Sequence, residues 1–167
     1  MSDPAWLPAL IHLDDYGGNW ERYLESVYGI FHNDFIRTQP KFQDCWVRCR
    51  RDPLEFGKEA GFWHCTSCGE DEMQRTPDLR RMERIQWVRA ILDHPDDGAV
   101  NIWATMRGTD KRWCLWFREE YIVVIAERIR KRDEFRYFQL ITAYDTPSEH
   151  RKKILRGERD AWEAKNG

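Results

Sequence analysis

No stretch of the 167 residues approaches the roughly 20 consecutive apolar residues of a membrane-spanning helix. The N-terminus Met1-Ser2-Asp3-Pro4 also lacks the basic-then-apolar pattern of an export signal, so a cytoplasmic protein with no membrane partner is expected. The five cysteines, Cys45, Cys49, Cys65, Cys68 and Cys114, are an odd number in such a chain. A disulfide framework is therefore not expected, which leaves free thiols or a bound metal. There is no G-x-x-x-x-G-K-[ST] loop, no G-x-G-x-x-G turn and no G-x-S-x-G elbow. Nucleotide-driven, dinucleotide-redox and serine-hydrolase chemistry are set aside accordingly. Repeats, low-complexity tracts and dividing linkers are missing as well, so residues 1–167 are expected to form one domain. A net charge of -2 argues against a strongly basic body that coats nucleic acid by counterion release alone.

What the chain has is aromatic and charged. Aromatics make up 14% of the residues, with nine tryptophans, enough to pack a core. Charged residues at 34% provide a hydrated surface. Their distribution is uneven. Up to Ile36 six acids face Arg22 alone, whereas Arg128, Arg130, Lys131, Arg132 and Arg136 cluster late, followed by Arg151, Lys152, Lys153 and Arg156. A local basic face on an acidic molecule is one consequence, and ordinary solvated charge is the other.

Apolar periodicity supplies the elements. Asn19 precedes Trp20, Leu24, Val27, Phe31 and Phe35, spaced for one helix face, which predicts a capped helix over 19–36. Imperfect alternation over 41–51 predicts a strand. A loop or short helix carries Lys58 to His64, and Gly69 to Glu72 suggest a solvated turn. Thr76-Pro77 has the chemistry of a helix start before Leu79, Met82, Ile85, Val88 and Leu92, with Arg80, Arg84 and Trp87 as a second stripe. Four β-rich segments follow, over 100–106, 112–117, 121–126 and 135–144. In the last of these, alternation places Phe138, Leu140, Thr142 and Tyr144 on one face. Thr146-Pro147-Ser148-Glu149 has the spelling of a capping box for a C-terminal helix. The class is α+β.

Two constellations carry chemistry. His64-Cys65-Thr66-Ser67-Cys68-Gly69 contains the C-x-x-C-G turn of zinc knuckles, and Cys45 with Cys49 could complete a four-thiolate site in a small zinc-binding adaptor. Against this, a C-x-x-x-C pair in a strand separates its sulfurs by about 13 Å along the rise. The second constellation needs no metal. Cleaving RNA requires a group to take the 2′-hydroxyl proton, a group to protonate the leaving 5′-oxygen and fixed positive charge for the phosphorane. His64 and Lys58, Arg80, Arg81 and Arg84, and Thr142 and Tyr144 are the residue types that could supply these, although a histidine beside Trp63 also suits a packed core.

Gly57-Lys58-Glu59-Ala60-Gly61-Phe62-Trp63-His64, Asp78 to Trp87 and Tyr137 to Tyr144 resemble blocks of the barnase, EndoU, colicin and RelE-like (BECR) nuclease superfamily of phage and bacterial proteins. The resemblance runs from about Leu10 to Glu158. It implies N-terminal helices packed on a four-stranded antiparallel meander sheet with a C-terminal helix, and metal-independent RNA cleavage without a cofactor. It further implies His64 as general acid or base, Lys58 and Arg84 as cations for the phosphate, Thr142 as the orienting hydroxyl, and Arg80, Arg81, Trp87 and Tyr144 as substrate-binding residues. The Cys-Thr-Ser-Cys-Gly segment has no counterpart in the family pattern. The acidic isoelectric point, near 6.2, differs from ribosome-dependent toxins and suggests a structured RNA such as tRNA. Many such proteins are toxins held by an antitoxin or inhibitor. A non-catalytic protein-binding module, itself antitoxin- or inhibitor-like, is the competing expectation.

Overall fold

The computed structural model describes residues 2–69 and 75–167, so most of the turn expected at Gly69 to Glu72 lies outside the described residues. Helix α1 (Trp20–His32) starts where the sequence places it, because the Asn19 side chain accepts the Arg22 amide at 3.1 Å. Tyr23, Val27 and Phe31 form its buried stripe, and the chain continues as a π-turn over Asn33–Arg37 that buries Phe35.

The expected strand over 41–51 is instead a hairpin of β1 (Lys41–Phe42) and β2 (Cys45–Cys49). Gln43 and Asp44 both adopt left-handed angles, the backbone of a tight two-residue turn. Helix α2 (Ala60–Thr66) follows. Thr76–Pro77 does not begin a helix. It forms a short strand, β4, paired with β3 (Ser67–Cys68). The cap is Asp78, whose carboxylate accepts the amides of Arg80 and Arg81. The helix expected through Leu92 is broken at Arg84 into α3 (Leu79–Glu83) and α4 (Ile85–Asp93).

Strands β5 (Val100–Arg107), β6 (Asp110–Phe117), β7 (Tyr121–Arg130) and β8 (Phe135–Asp145) form the antiparallel meander. The sheet, however, has six strands and is mixed, in the order β1-β2-β8-β7-β6-β5, with β2 parallel to β8. The extra pairing brings Val47 and Cys49 beside Phe138 and Leu140, so two more apolar side chains join the core.

Each face of the curled sheet has its own core. Leu115, Phe117, Val123, Ile125, Phe138 and Leu140 meet α1, α2, α3 and α4 on the first face. On the second face Trp103, Cys114, Trp116, Ile122 and Val124 meet Leu155 of α5 (Glu149–Asn166). The alternation along β6 and β7 divides the two sets. Ser148 caps α5 by accepting the Arg151 amide, so the capping box does not begin at Thr146. Thr146 is buried, donating to the Glu119 carbonyl and accepting from Trp116 Nε1.

One irregularity decides where the candidate site lies. Val124 pairs with Thr142 but Ile125 pairs with Leu140, so Ile141 is an extra residue in β8. Such a bulge reverses the alternation beyond it. Phe138 and Leu140 face the first core, whereas Thr142 and Tyr144 stand on the second face beside Ile122 and Val124. Thr142 therefore does not share a face with Phe138 and Leu140.

Candidate functional site

Between the second face and α5 lies a cavity of about 180 Å³. Thr142 and Tyr144 of β8, Arg107 and Arg112 of the β5–β6 ribbon, and Arg151 and Glu158 of α5 supply its polar lining. On α5 the spacing of Arg151, Leu155, Glu158 and Trp162 is that of one helix face, so burying Leu155 and Trp162 against the sheet carries the two charged residues inward. Arg151 donates to the Tyr144 hydroxyl at 2.5 Å and its guanidinium lies 5.7 Å from the ring centre. The Arg107 side chain has no hydrogen bond or ion pair among the described residues. Glu158 accepts from Trp103 Nε1 at 3.4 Å.

Cys114, on the cavity wall, shows how these charges converge. Burial pushes its thiol up to about 12, Glu158 adds to the rise, and Arg107, Arg151 and Arg112 oppose it. A buried neutral thiol thus sits among three guanidinium groups and one carboxylate.

The sequence-predicted residues divide. Among the described residues the outer edge of β8 beyond Leu140 has no strand neighbour, and α2 and α3 pack there. Thr142 Oγ1 donates to the His64 carbonyl at 3.0 Å, and Arg81 reaches the same carbonyl at 3.4 Å and the Ser67 carbonyl at 2.7 Å. Arg81 also lies 5.4 Å from the Tyr144 ring centre. His64, Arg81, Thr142 and Tyr144 are therefore brought together, with His64 taking part through its main chain. Its side chain instead lines a cleft of about 10 Å³ with Pro53, Glu55, Trp63 and Arg75.

The remaining four lie elsewhere. The Lys58 amine is 2.6 Å from Glu25 and stacks over Tyr28 on the α1 side. Arg84 joins α3 to α4, donating to the Arg80 carbonyl and lying over Trp87. Trp87 is buried and donates to the Pro8 carbonyl at 2.9 Å, an anchor for the N-terminal segment. Arg80 is exposed at the start of α3, its amide bonded to Asp78. Among the described residues no three His, Cys, Asp or Glu side chains gather to hold a metal ion; Cys65 is buried and Cys68 exposed.

Sequence reasoning missed Arg107, Arg112 and Glu158. Two patterns could have shown them: Arg112, Cys114 and Trp116 alternate onto one face of β6, and Glu158 falls two turns beyond Arg151. The charged lining extends beyond the cavity. Asp110 accepts from Arg112 at 3.0 Å and from Arg128 at 2.5 Å, and Arg128 donates to Gln139 at 3.0 Å, a polar string across β6, β7 and β8.

Compared with known protein families, curated proteins and solved structures, the chain matches none. No helix among the described residues is long and apolar enough to cross a membrane.

Proposed function

We infer that the cavity under α5 binds the phosphodiester backbone of RNA and cleaves it without a metal. The observation that carries this reading is the set of three arginines around one carboxylate and one tyrosine hydroxyl in an open cavity. Arg107, Arg112 and Arg151 would neutralise the phosphate and stabilise the charge that builds up at phosphorus. Glu158 would take the proton from the 2′-hydroxyl as its oxygen attacks phosphorus. The bond from Arg151 occupies an acceptor position on the Tyr144 oxygen and leaves the phenolic hydrogen to protonate the departing 5′-oxygen. The products are a 2′,3′-cyclic phosphate and a free 5′-hydroxyl. Thr142 and Arg81, both tied to the His64 carbonyl, hold the Tyr144 end of the cavity. In this scheme His64 positions other groups and moves no proton.

Incubation of purified protein with labelled RNA in the presence of a chelator tests the proposal. Fragments ending in 2′,3′-cyclic phosphate are expected. Glu158→Gln should lower the rate at least about 100-fold, the ordinary worth of a general base, while His64→Ala retains activity. Loss of cleavage in His64→Ala with full activity in Glu158→Gln would return the base to the imidazole. RNA binding without cleavage would make the protein a binding module, and neither binding nor cleavage would remove RNA as the ligand. An antitoxin or inhibitor that occludes the cavity belongs to the same proposal and would protect Tyr144 from solvent.

A further inference from the structure

Two further cavities open on the molecule. One, of about 520 Å³, lies at the β2 edge, with Tyr137 and Gln139 of β8 in its wall. The other, of about 440 Å³, lies under the last turns of α5 and adjoins the cavity already described. Thr105 and Glu158 line both of these neighbours, so Glu158 stands where the two meet. Met106 and Trp162 contribute apolar wall to the end cavity, and Lys111 and Lys165 add hydrogen-bond donors. Helical spacing explains the arrangement. Trp162 follows Glu158 by four residues and Lys165 follows Trp162 by three, so the face that carries Arg151 and Glu158 into the first cavity carries Trp162 and Lys165 to the second.

The indole is fixed before any ligand arrives. Trp162 is half-buried and packs edge-on against Trp113 at 6.0 Å and 69°, and Trp113 donates to Glu127 at 2.9 Å. Lys111 lies over the Trp113 ring and 3.7 Å from Glu127. The Lys165 side chain has no hydrogen bond or ion pair among the described residues. Met106 lines the cavity from β5 and is 58% exposed. One carboxylate among two ammonium groups leaves little net charge. A flat aromatic ring with hydrogen-bond acceptors on its edge suits such a space better than a bare anion.

We propose that the end cavity receives the base of the nucleotide whose 2′-hydroxyl meets Glu158, and so selects the base on the 5′ side of the cut. This rests on the RNA reading of the first cavity for the identity of the ligand. A ribose with its 2′-hydroxyl at Glu158 sits at the junction of the two cavities. Its 3′-phosphate lies among Arg107, Arg112 and Arg151, and its base enters the other cavity, about one helical turn along α5, where the Trp162 ring stacks on it. Stacking is tolerant of sequence, because every base has a π face. The lysines are not tolerant. An ammonium group only donates, so it accommodates the keto oxygen of uracil or guanine and not the exocyclic amino group of cytosine or adenine. Uridine and guanosine are therefore favoured before the cut.

A short labelled deoxyoligonucleotide with a single ribonucleotide offers one cleavable bond and isolates the base before it. The ribonucleotide is made with each of the four bases and as an abasic ribose. Trp162→Ala should lower kcat/KM about 5- to 150-fold on the base-bearing substrates, the worth of one stacked base, mainly through KM, and leave the abasic substrate unchanged. Trp162→Phe should restore most of the loss. Uridine and guanosine substrates should be cleaved at least about 5-fold faster than cytidine and adenosine ones, the low end of what one base-edge contact discriminates, and Lys111→Met with Lys165→Met should erase that preference. An equal loss on abasic and base-bearing substrates would make Trp162 a packing residue of α5, and no loss on either would leave the cavity without a base; both results overturn the subsite. Equal rates for all four bases would overturn the lysine contacts. The two readings fail separately. Cleavage by wild type at one rate with and without the base removes the subsite and leaves the first cavity as the reaction centre. No cleavage by wild type removes the ribonuclease chemistry, and fluorescence anisotropy with the same oligonucleotides then decides the subsite. Tighter binding of base-bearing than of abasic strands, lost in Trp162→Ala, supports it, and equal binding overturns it.

Discussion

Tyr144 lies against two cations that come from different parts of the fold, Arg81 from α3 and Arg151 from α5. Its hydroxyl is bonded to the second, so ring and oxygen are both fixed before any ligand arrives. The cysteines show the opposite use of environment. Burial raises the Cys49 thiol to about 11 and those of Cys65 and Cys114 to about 12, so at neutral pH almost none of each is the reactive thiolate. Cys68 is exposed. Iodoacetamide at neutral pH followed by intact mass should therefore add a label at Cys68 first, with Cys49, Cys65 and Cys114 labelled only after denaturation. Early labelling of Cys114 would show that the cavity wall opens. At this scale, Asn19 as a cap and Thr142 and Tyr144 near the close of the last strand were legible, because capping chemistry and a β-rich run are local. Lys58 and Trp87 were not, since their partners Glu25 and Pro8 are distant in sequence.

The sheet fixes the helices closely at one point. Gly61 sits in the first turn of α2, its amide bonded to the Arg50 carbonyl at 2.7 Å. A Cβ at this position would lie 2.9 Å from Cys49 Cβ and 3.1 Å from the Arg50 oxygen. Gly61→Ala should therefore destabilise the protein by about 1–3 kcal/mol as α2 is pushed off β2, read as a lower denaturant midpoint at unchanged slope. A neutral result would mean that the contact relaxes easily. Periodicity identified α1, capping chemistry α5, and β-branched and aromatic content the four long strands. It could not place Thr142, because the extra residue in β8 is visible only in its register with β7. Nor could it find the break at Arg84, since Met82, Ile85 and Val88 keep helical spacing through it.

Across the molecule, acids tied to arginines set the response to pH. The Glu119 carboxyl is held below its ordinary 4.5 by the bonds from Arg156, despite some burial. Burial tends to raise Asp110 and Glu127, but bonds from Arg112 and Arg128 to the first, and from Trp113 and Arg136 to the second, outweigh it and leave both lowered. A depressed carboxyl stabilises the fold fully above its unfolded value and loses that contribution as pH falls through the folded one. Melting temperature should therefore hold above about pH 5 and fall steadily below it, with a shallower acid limb in Glu119→Gln. The same acid limb in wild type and variant would remove Glu119 from this account. The sheet's strand order was hidden from the sequence for a related reason, because what pairs β2 with β8 is the far end of the chain. Cys45 and Arg136, 91 residues apart, touch across that pairing. Synthesis runs from the N-terminus, so β2 leaves the ribosome long before its neighbour exists and must wait, edge exposed, until β8 has emerged. Closure of the β2-edge cavity, which needs Tyr137 and Gln139, thus follows the emergence of β8, and the nascent chain carries that cavity unformed until then.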